Sequence, residues 1–497
     1  MRSLAGVTTA DNAPRRLTSF RDAVVTAATL DVVARGSALS VAFLSARTLE
    51  PAEIGTLGLV GAGTAIVSML GSFIELGAII SGVSMDEKER ANAAGALRMM
   101  VVAPLLVGAF FFLDRMLEAF LVEPTRMGVA RYIATVLMTL PVFEAIAGIP
   151  VVYLQRTESL QSVALRQAWQ PLTYAGLGAL ALLAGFGTSG LAWAQVFATA
   201  GTASALWLLA LQKGLTLKRI KPVSLFPLAC EGFRQASAGL IGFMTERVDN
   251  LLVAGSLGTA ALGYYSLAWS ASRLPIYVLS RVCRSAILPT LLRTHDVPEE
   301  QRRMMHKSLA LALAASCGFG VLIALLGRDL VVLVLGARWL PAGACLEVLS
   351  LTVALSPLAF LGGTYLQAQG KAHKVGPFAG GVQIGLQLAL IPFACAILGE
   401  RGAAWVDGLA FGGMTFVVLY WTRKTEAFKP HQVVEALSAP LVGIVAATTM
   451  AILGGLGEPK TWSALVVSST SIFASYMGGC MVTSRDLRMW VVQAFRS

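Results

Sequence analysis

Apolar runs of about 20 residues recur along the 497-residue chain, and short polar segments separate them. A run of that length is what an α-helix needs to cross a hydrocarbon core of about 30 Å. Fourteen spans are predicted. The first six are about Ala23–Ser45, Ile54–Ile79, Met99–Leu121, Ala130–Leu154, Gln167–Phe186 and Leu191–Leu211. Six more follow at about Ala236–Leu257, Gly263–Ile287, Ser308–Leu326, Leu346–Leu366, Gly376–Leu398 and Ala403–Trp421. A last pair runs about Val433–Leu453 and Thr461–Val482. The predicted fold is an all-α membrane protein with two six-helix bundles, 23–211 and 236–421, and an extra C-terminal helix pair at 433–482. Residues 1–22 and 483–497 are expected as a cytosolic arm and tail, and 212–235 as a cytosolic linker.

Composition agrees with this pattern. The chain is 56% hydrophobic and 13% charged, against roughly 25% charged in a soluble domain. The net charge of +11 has no soluble basic domain to sit on, so nucleic acid is excluded as a partner. Loop topology accounts for it instead. With the spans above, about 26 Lys and Arg fall on one side and about eight on the other. The rich side is expected to be cytosolic, with both termini there. The first 22 residues lack the apolar core of a signal peptide. Six scattered cysteines without a CxxC pair point to neither a disulfide framework nor a metal site. No GxxxxGK[ST], HExxH or GxSxG motif occurs, and the outer loops are too short for a catalytic domain. The chain is therefore read as a transporter without a cofactor, driven by an Na+ or H+ gradient or by the membrane potential.

An internal repeat relates the bundles. Thr48-Leu-Glu-Pro-Ala-Glu-Ile-Gly55 resembles Ser256-Leu-Gly-Thr-Ala-Ala-Leu-Gly263, 208 residues later. Both stretches fall at the outer turn between the first two helices of a bundle. Six helices per half give the halves the same topology, so a pseudo-two-fold axis along the membrane normal is expected.

Candidate chemistry comes from charges inside spans. A charge at mid-membrane costs roughly 2.5–3.5 kcal/mol on insertion scales, so such residues must face the protein or a wet cavity. TERVDN, Thr245 to Asn250, places Glu246, Arg247, Asp249 and Asn250 in the seventh span; on a continuous helix they share one arc. They are read either as lining a solute path or as a self-neutralised cluster that holds helices together. In the eighth span Tyr265, Trp269, Arg273, Tyr277 and Arg281 recur every fourth residue and form one stripe. Aromatic faces suit sugar rings and guanidinium forks suit phosphate; a packing seam is the plainer reading. Asp31 and Arg35 are one turn apart in the first span and would also serve as an ion pair. The expected substrate-binding set is Arg35, Arg247, Arg273, Asn250, Tyr265, Trp269 and Tyr277, around a basic cavity between the bundles. Asp31, Glu75 and Asp249 are the candidate ion-coupling carboxylates. Gln383 and Gln387 are read as interhelical hydrogen-bonding residues.

Three stretches resemble a known family: ARTLEPAEIGTLGLV (Ala46–Val60), RVDNLLVAGSLGTAALGYYSLAWS (Arg247–Ser270) and VLGARWLPAGACLEVLSL (Val334–Leu351). They are similar to the polysaccharide transporter family, the lipid-linked oligosaccharide flippases of O-antigen and exopolysaccharide assembly, from about residue 20 to 420. The resemblance implies the fold of the multidrug/oligosaccharidyl-lipid/polysaccharide exporter superfamily, alternating access, and a bacterial inner membrane location. It implies that an undecaprenyl-pyrophosphate-linked glycan is turned between leaflets, with membrane lipid around the protein and a glycan polymerase and chain-length proteins as partners. Many members have twelve spans, and the pair after Val433 departs from that pattern. A lipid II flippase or an ion-coupled multidrug antiporter of the same superfamily is the alternative, and a membrane glycan polymerase or ligase is a more distant one.

Overall fold

A computed structural model describes residues 33–34, 36–80, 86–120, 124–157, 160–217, 222–294, 297–424, 430–456 and 461–484. Asp31 and Arg35 lie outside the described residues. The described chain is helical from end to end. Helix α1 covers 36–48. It is followed by α2 (Pro51–Ile80), α3 (Glu87–Phe120), α4 (Pro124–Leu137), α5 (Leu140–Thr157), α6 (Leu160–Leu183) and α7 (Gly187–Gln212). The second half contains α8 (Pro222–Thr245), α9 (Val248–Arg293), α10 (Pro298–Leu335), α11 (Leu340–Ala368), α12 (Ala372–Leu398) and α13 (Glu400–Lys424). The pair α14 (Pro430–Leu453) and α15 (Trp462–Thr483) closes the chain. Eleven helical stretches among the described residues are long and apolar enough to cross a membrane. This is a multi-pass all-α membrane protein.

Span existence follows the hydropathy pattern, and helix length exceeds it. Helix α10 has 38 residues, about 57 Å at 1.5 Å per residue, nearly twice the hydrocarbon thickness. Its first turns, Pro298 to Arg303, are polar and extend beyond the apolar window. Pro298 follows Val297 at the helix start, where its missing N–H costs nothing. Helix α8 likewise begins at Pro222, so most of the expected linker 212–235 is helix. The fourth span is two helices, α4 and α5, broken at Met138 and Thr139.

The repeat has a physical counterpart. Gly258 (φ 83°) interrupts α9 at the position that matches Glu50, in the turn between α1 and α2. Beyond these turns α2 crosses α9. A Cβ on Gly55 would strike the Thr259 carbonyl, and one on Gly263 would strike the Pro51 carbonyl. Positions 51 and 259, like 55 and 263, are 208 apart, so the contact is reciprocal about a pseudo-two-fold axis. The largest core cluster spans this crossing, with Val60, Ala254, Leu262, Tyr265 and Trp339 buried in it. The α14–α15 hairpin packs on α10. Tyr476 anchors it by donating from its hydroxyl to the Ala314 carbonyl at 2.7 Å.

Candidate functional site

The first half contains a partly open cavity of about 660 Å³, bordered mainly by α2, α3, α5, α6 and α7. Its wall mixes apolar residues with a set of polar and charged ones. On α2, Thr64, Ser68 and Ser72 recur every four residues and face it, and Glu75 extends the row. Gln170 and Tyr174 contribute from α6, and Gln195, Thr199 and Thr202 from α7. Gln170 Nε2 donates to Thr199 Oγ1 at 3.0 Å, which ties α6 to α7 across the wall. Hydroxyls and amides of this kind both donate and accept, so they can match the hydroxyl groups of a sugar.

One end of the cavity is lined by charge. Arg98 on α3 lines it together with Glu75 and Glu144. Arg98 NH1 donates to Glu75 Oε2, and NH2 lies 3.8 Å from Glu144 Oε2. The Arg98 side chain is 5% exposed, Glu75 12% and Glu144 32%. The arginine reaches the cavity by passing between two glycines. A Cβ on Gly71 of α2 would sit 3.1 Å from Arg98 Nε, and one on Gly148 of α5 would sit 3.1 Å from NH1. By hydropathy Arg98 falls just ahead of the predicted third span, Met99–Leu121, among the loop cations on the basic side. The structure corrects this: α3 starts at Glu87, which puts Arg98 about 16 Å along the helix. The tally of charges per side keeps its sign without it.

The predicted residues of the seventh and eighth spans meet elsewhere, in the second half. Asp249, fully buried, accepts a hydrogen bond from the Tyr265 hydroxyl at 2.7 Å. Its other oxygen accepts from the Asn250 backbone N–H at 2.8 Å. Arg273 is 8% exposed and donates from NH2 to Asp407 Oδ2 at 3.2 Å. Gln387 Nε2 donates to Asp407 Oδ1, also at 3.2 Å. The guanidinium carbon lies 4.9 Å from the centre of the Trp269 ring and 5.5 Å from that of Phe411, a cation–π sandwich. Asp249, Tyr265, Trp269 and Arg273 therefore share one buried network of α9, α12 and α13, and none of them lines the 660 Å³ cavity. Gln387 acts between helices, and Gln383 points its amide at the Thr245 carbonyl, 3.4 Å away.

Glu246 and Arg247 do not continue the arc. The backbone turns there: Glu246 N–H donates to Phe243 O and Arg247 N–H to Met244 O. Glu246 is exposed and Arg247 half-buried, while Asp249 and Asn250 stand in the buried first turn of α9. An acidic residue suits that position because the first N–H groups of a helix lack internal partners. Tyr277 is half-buried further along α9.

Of the expected set, only Glu75 reaches the cavity among the described residues. Arg98, Glu144, Gln170, Gln195 and Thr199 were missed as cavity residues. The recurrence of small hydroxyl residues every fourth position, at 64, 68 and 72, was the signal available for α2. The Arg98 crossing had none, because glycines framing a side chain from another helix leave no local pattern.

A family model described as polysaccharide biosynthesis protein matches residues 44–344. The chain is 27% identical over 196 residues to teichuronic acid biosynthesis protein TuaB of Bacillus subtilis (strain 168). That alignment covers 38% of this chain and 39% of the relative, so it spans about two fifths of the relative's length. Among solved structures, a lipid II flippase MurJ in an inward closed conformation superposes with a TM-score of 0.78 at 13% identity, covering 93% of this chain and 99% of that one. An inward-facing MATE multidrug resistance transporter of the MOP superfamily gives 0.64 at 16% identity, covering 79% and 94%. At these identities the structural likeness establishes a shared fold.

Proposed function

Since the chain belongs to the polysaccharide biosynthesis protein family, we propose that it is a flippase that carries a lipid-linked oligosaccharide across the bacterial inner membrane. The observation that carries this reading is a cavity of about 660 Å³, partly lined by polar and charged side chains, within an apolar helix bundle. Polar and charged side chains inside a membrane bundle are costly and mark the path of a polar solute, and here Ser68, Glu75, Arg98 and Gln195 border an internal space. The glycan head would occupy the chamber, and its lipid tail would stay in the bilayer. The substrate would be an undecaprenyl-pyrophosphate-linked repeat unit of O-antigen or exopolysaccharide, passed on to a glycan polymerase and chain-length proteins.

The halves touch at both ends of α2. Near one end are the Gly55 and Gly263 contacts, and near the other a Cβ on Gly77 would meet the Gly232 backbone. Alternating access would release one end at a time. An Na+ or H+ gradient, or the membrane potential, would drive the cycle, with Glu75 and Asp249 as candidate coupling carboxylates. Collapsing each gradient separately in proteoliposomes should stop transport for one of them.

The deciding experiment is deletion of the gene in its host. Lipid-linked repeat units should then accumulate on the cytosolic leaflet; if they reach the outer leaflet at the normal rate, the flippase reading is lost. Complementation with Arg98→Ala or Glu75→Gln should fail, because each disturbs the charged end of the chamber.

A further inference from the structure

A second space stands in line with the chamber, toward the end away from the basic face. It holds about 420 Å³ and is lined by Thr48, Glu53 and Thr56 around the α1–α2 turn, Ala130 and Ile133 of α4, and Thr188 of α7. Helices α2 and α7 and the fourth span border both spaces. On each, the change from one to the other takes no more than about one helical turn: Thr56 to Leu57, Ile133 to Leu137, Thr188 to Leu191. The side chains at that level are apolar, and Ile133, Leu137 and Leu191 are buried. A layer about 5 Å thick therefore divides the chamber from a vestibule that carries threonine and glutamate. Along α2 the chamber runs from Leu57 to Glu75, about 27 Å, which is most of the hydrocarbon thickness. The apolar layer is the barrier between that length and the vestibule.

One wall of this layer is hinged. The fourth span is broken at Met138 and Thr139, about 17 Å into the apolar stretch Met127–Thr157. The sequence imposes the break. Pro141 has no N–H for the Leu137 carbonyl, and its ring crowds that carbonyl. The chain turns instead, and the Val136 carbonyl accepts from both the N–H and the hydroxyl of Thr139, at 3.1 and 2.7 Å. Non-helical backbone at membrane depth is tolerated where it borders a cavity, and Leu137 and Leu140 on either side of the break both line the chamber. The two arms are held differently. Ten of the 18 residues of α5 are buried, and Arg98 threads past its Gly148. Helix α4 exposes Val129, Arg131, Tyr132 and Thr135. It is pinned from outside by two exposed contacts. Trp193 Nε1 of α7 donates to the Tyr132 hydroxyl at 2.9 Å, and Arg131 NH2 donates to Glu118 Oε1 of α3 at 3.0 Å.

We propose that α4 is a gate that swings about Met138–Thr139, parts the apolar layer and joins the chamber to the vestibule. A hydrated polar head would then pass within the first half, a route separate from any parting of the two halves. The flippase reading supplies only the identity of that head.

The test uses the full chain in sealed vesicles of known orientation, with the exposed Cys230 and the half-buried Cys283 changed to serine. Spin labels go at Gly128→Cys, where an added side chain meets nothing within 4 Å, and at Leu183→Cys, 75% exposed. Ser68→Cys in the chamber is probed separately with a membrane-impermeant thiol reagent from the side away from the basic face. Tyr132→Phe removes the bond from Trp193 and should enlarge a longer-distance population roughly three- to tenfold, the equivalent of one hydrogen bond. Modification of Ser68→Cys should rise with it. Thr139→Leu with Pro141→Ala restores a continuous helix and should abolish the longer distance and slow the modification. The two variants move the readouts in opposite directions, which general loosening of the fold would not do. A single distance that Tyr132→Phe leaves unchanged, or modification as fast in the straightened variant as in its parent, would overturn the proposal. Flipping of lipid-linked glycan measured in parallel separates the two readings. Normal flipping with a fixed α4 removes the gate alone, and a moving α4 without flipping removes the flippase reading and leaves the gate.

Discussion

At the scale of single residues, the buried charges in the second half are explained by their partners. Arg273 has Asp407 and two aromatic faces, and Asp249 has a hydroxyl and a backbone N–H. Removing one member of a buried ion pair strands the other in low dielectric, which costs roughly 3–5 kcal/mol. Arg273→Met should therefore lower the unfolding temperature of the purified protein sharply. Adding Asp407→Leu should recover most of the loss, since replacing both partners with apolar groups leaves no stranded charge. Arg273→Lys should fall between them, because an ammonium keeps the charge and lacks the flat face that stacks on Trp269. If the double variant is no more stable than Arg273→Met, the network is not held by that pair.

At the scale of helices, the chamber depends on side chains that are absent. Gly71 and Gly148 leave the gap through which Arg98 passes. A leucine at 148 would fill the space of the guanidinium and push it out of the wall. Gly148→Leu should reproduce the transport defect of Arg98→Ala, while Gly148→Ala, whose Cβ needs only a small shift of NH1, should keep most activity. Gly176→Ala on α6, with nothing within 4 Å of its added carbon, should be neutral or slightly stabilising. Equal transport by Gly148→Leu and wild type would show that the Arg98 route does not matter. Gly55 and Gly263 work the same way on a larger scale: each lets α2 and α9 approach closely enough to bury the core between them.

For the whole molecule, the two halves are fastened at the end away from the basic face. Arg47 Nε donates to the Val334 carbonyl at 2.7 Å, in the last turn of α10. Arg338 NH2 donates to the Ala46 carbonyl at 2.8 Å, in the last turn of α1, and Trp339 Nε1 donates to the same oxygen at 2.7 Å. Each half thus supplies an arginine to the carboxyl end of a helix in the other, where carbonyls lack internal partners and the helix dipole is negative. Any opening at this end must break these bonds. Arg47→Ala with Arg338→Ala should shift the population toward an open end by roughly 1–3 kcal/mol. Spin labels placed across the α1–α2 turn and the α10–α11 junction should then report a new, longer distance. An unchanged distance distribution would mean that the core at the α2–α9 crossing, and not the arginines, keeps this end shut.

Helix identity, span order, the two-fold repeat and the membrane setting were legible in the chain, because each is written in neighbouring residues. An apolar run of about 20 residues has no alternative to a spanning helix in lipid, and the repeat at Thr48–Gly55 and Ser256–Gly263 marks matching turns directly. The periodic stripe Tyr265–Trp269–Arg273 was also visible, and its residues do converge. Periodicity gives a residue's angle on its own helix, however, and cannot say what stands opposite. Only the packing of α9 against α12 and α13 turned Arg273 inward to Asp407. Only the packing of α3 against α2 and α5 carried Arg98 from an apparent loop into the chamber wall. The location of the cavity was decided in the same way, by which small and polar faces of five separate helices were left facing one another. Such a space is a property of distances between helices, and no single stretch of sequence contains it.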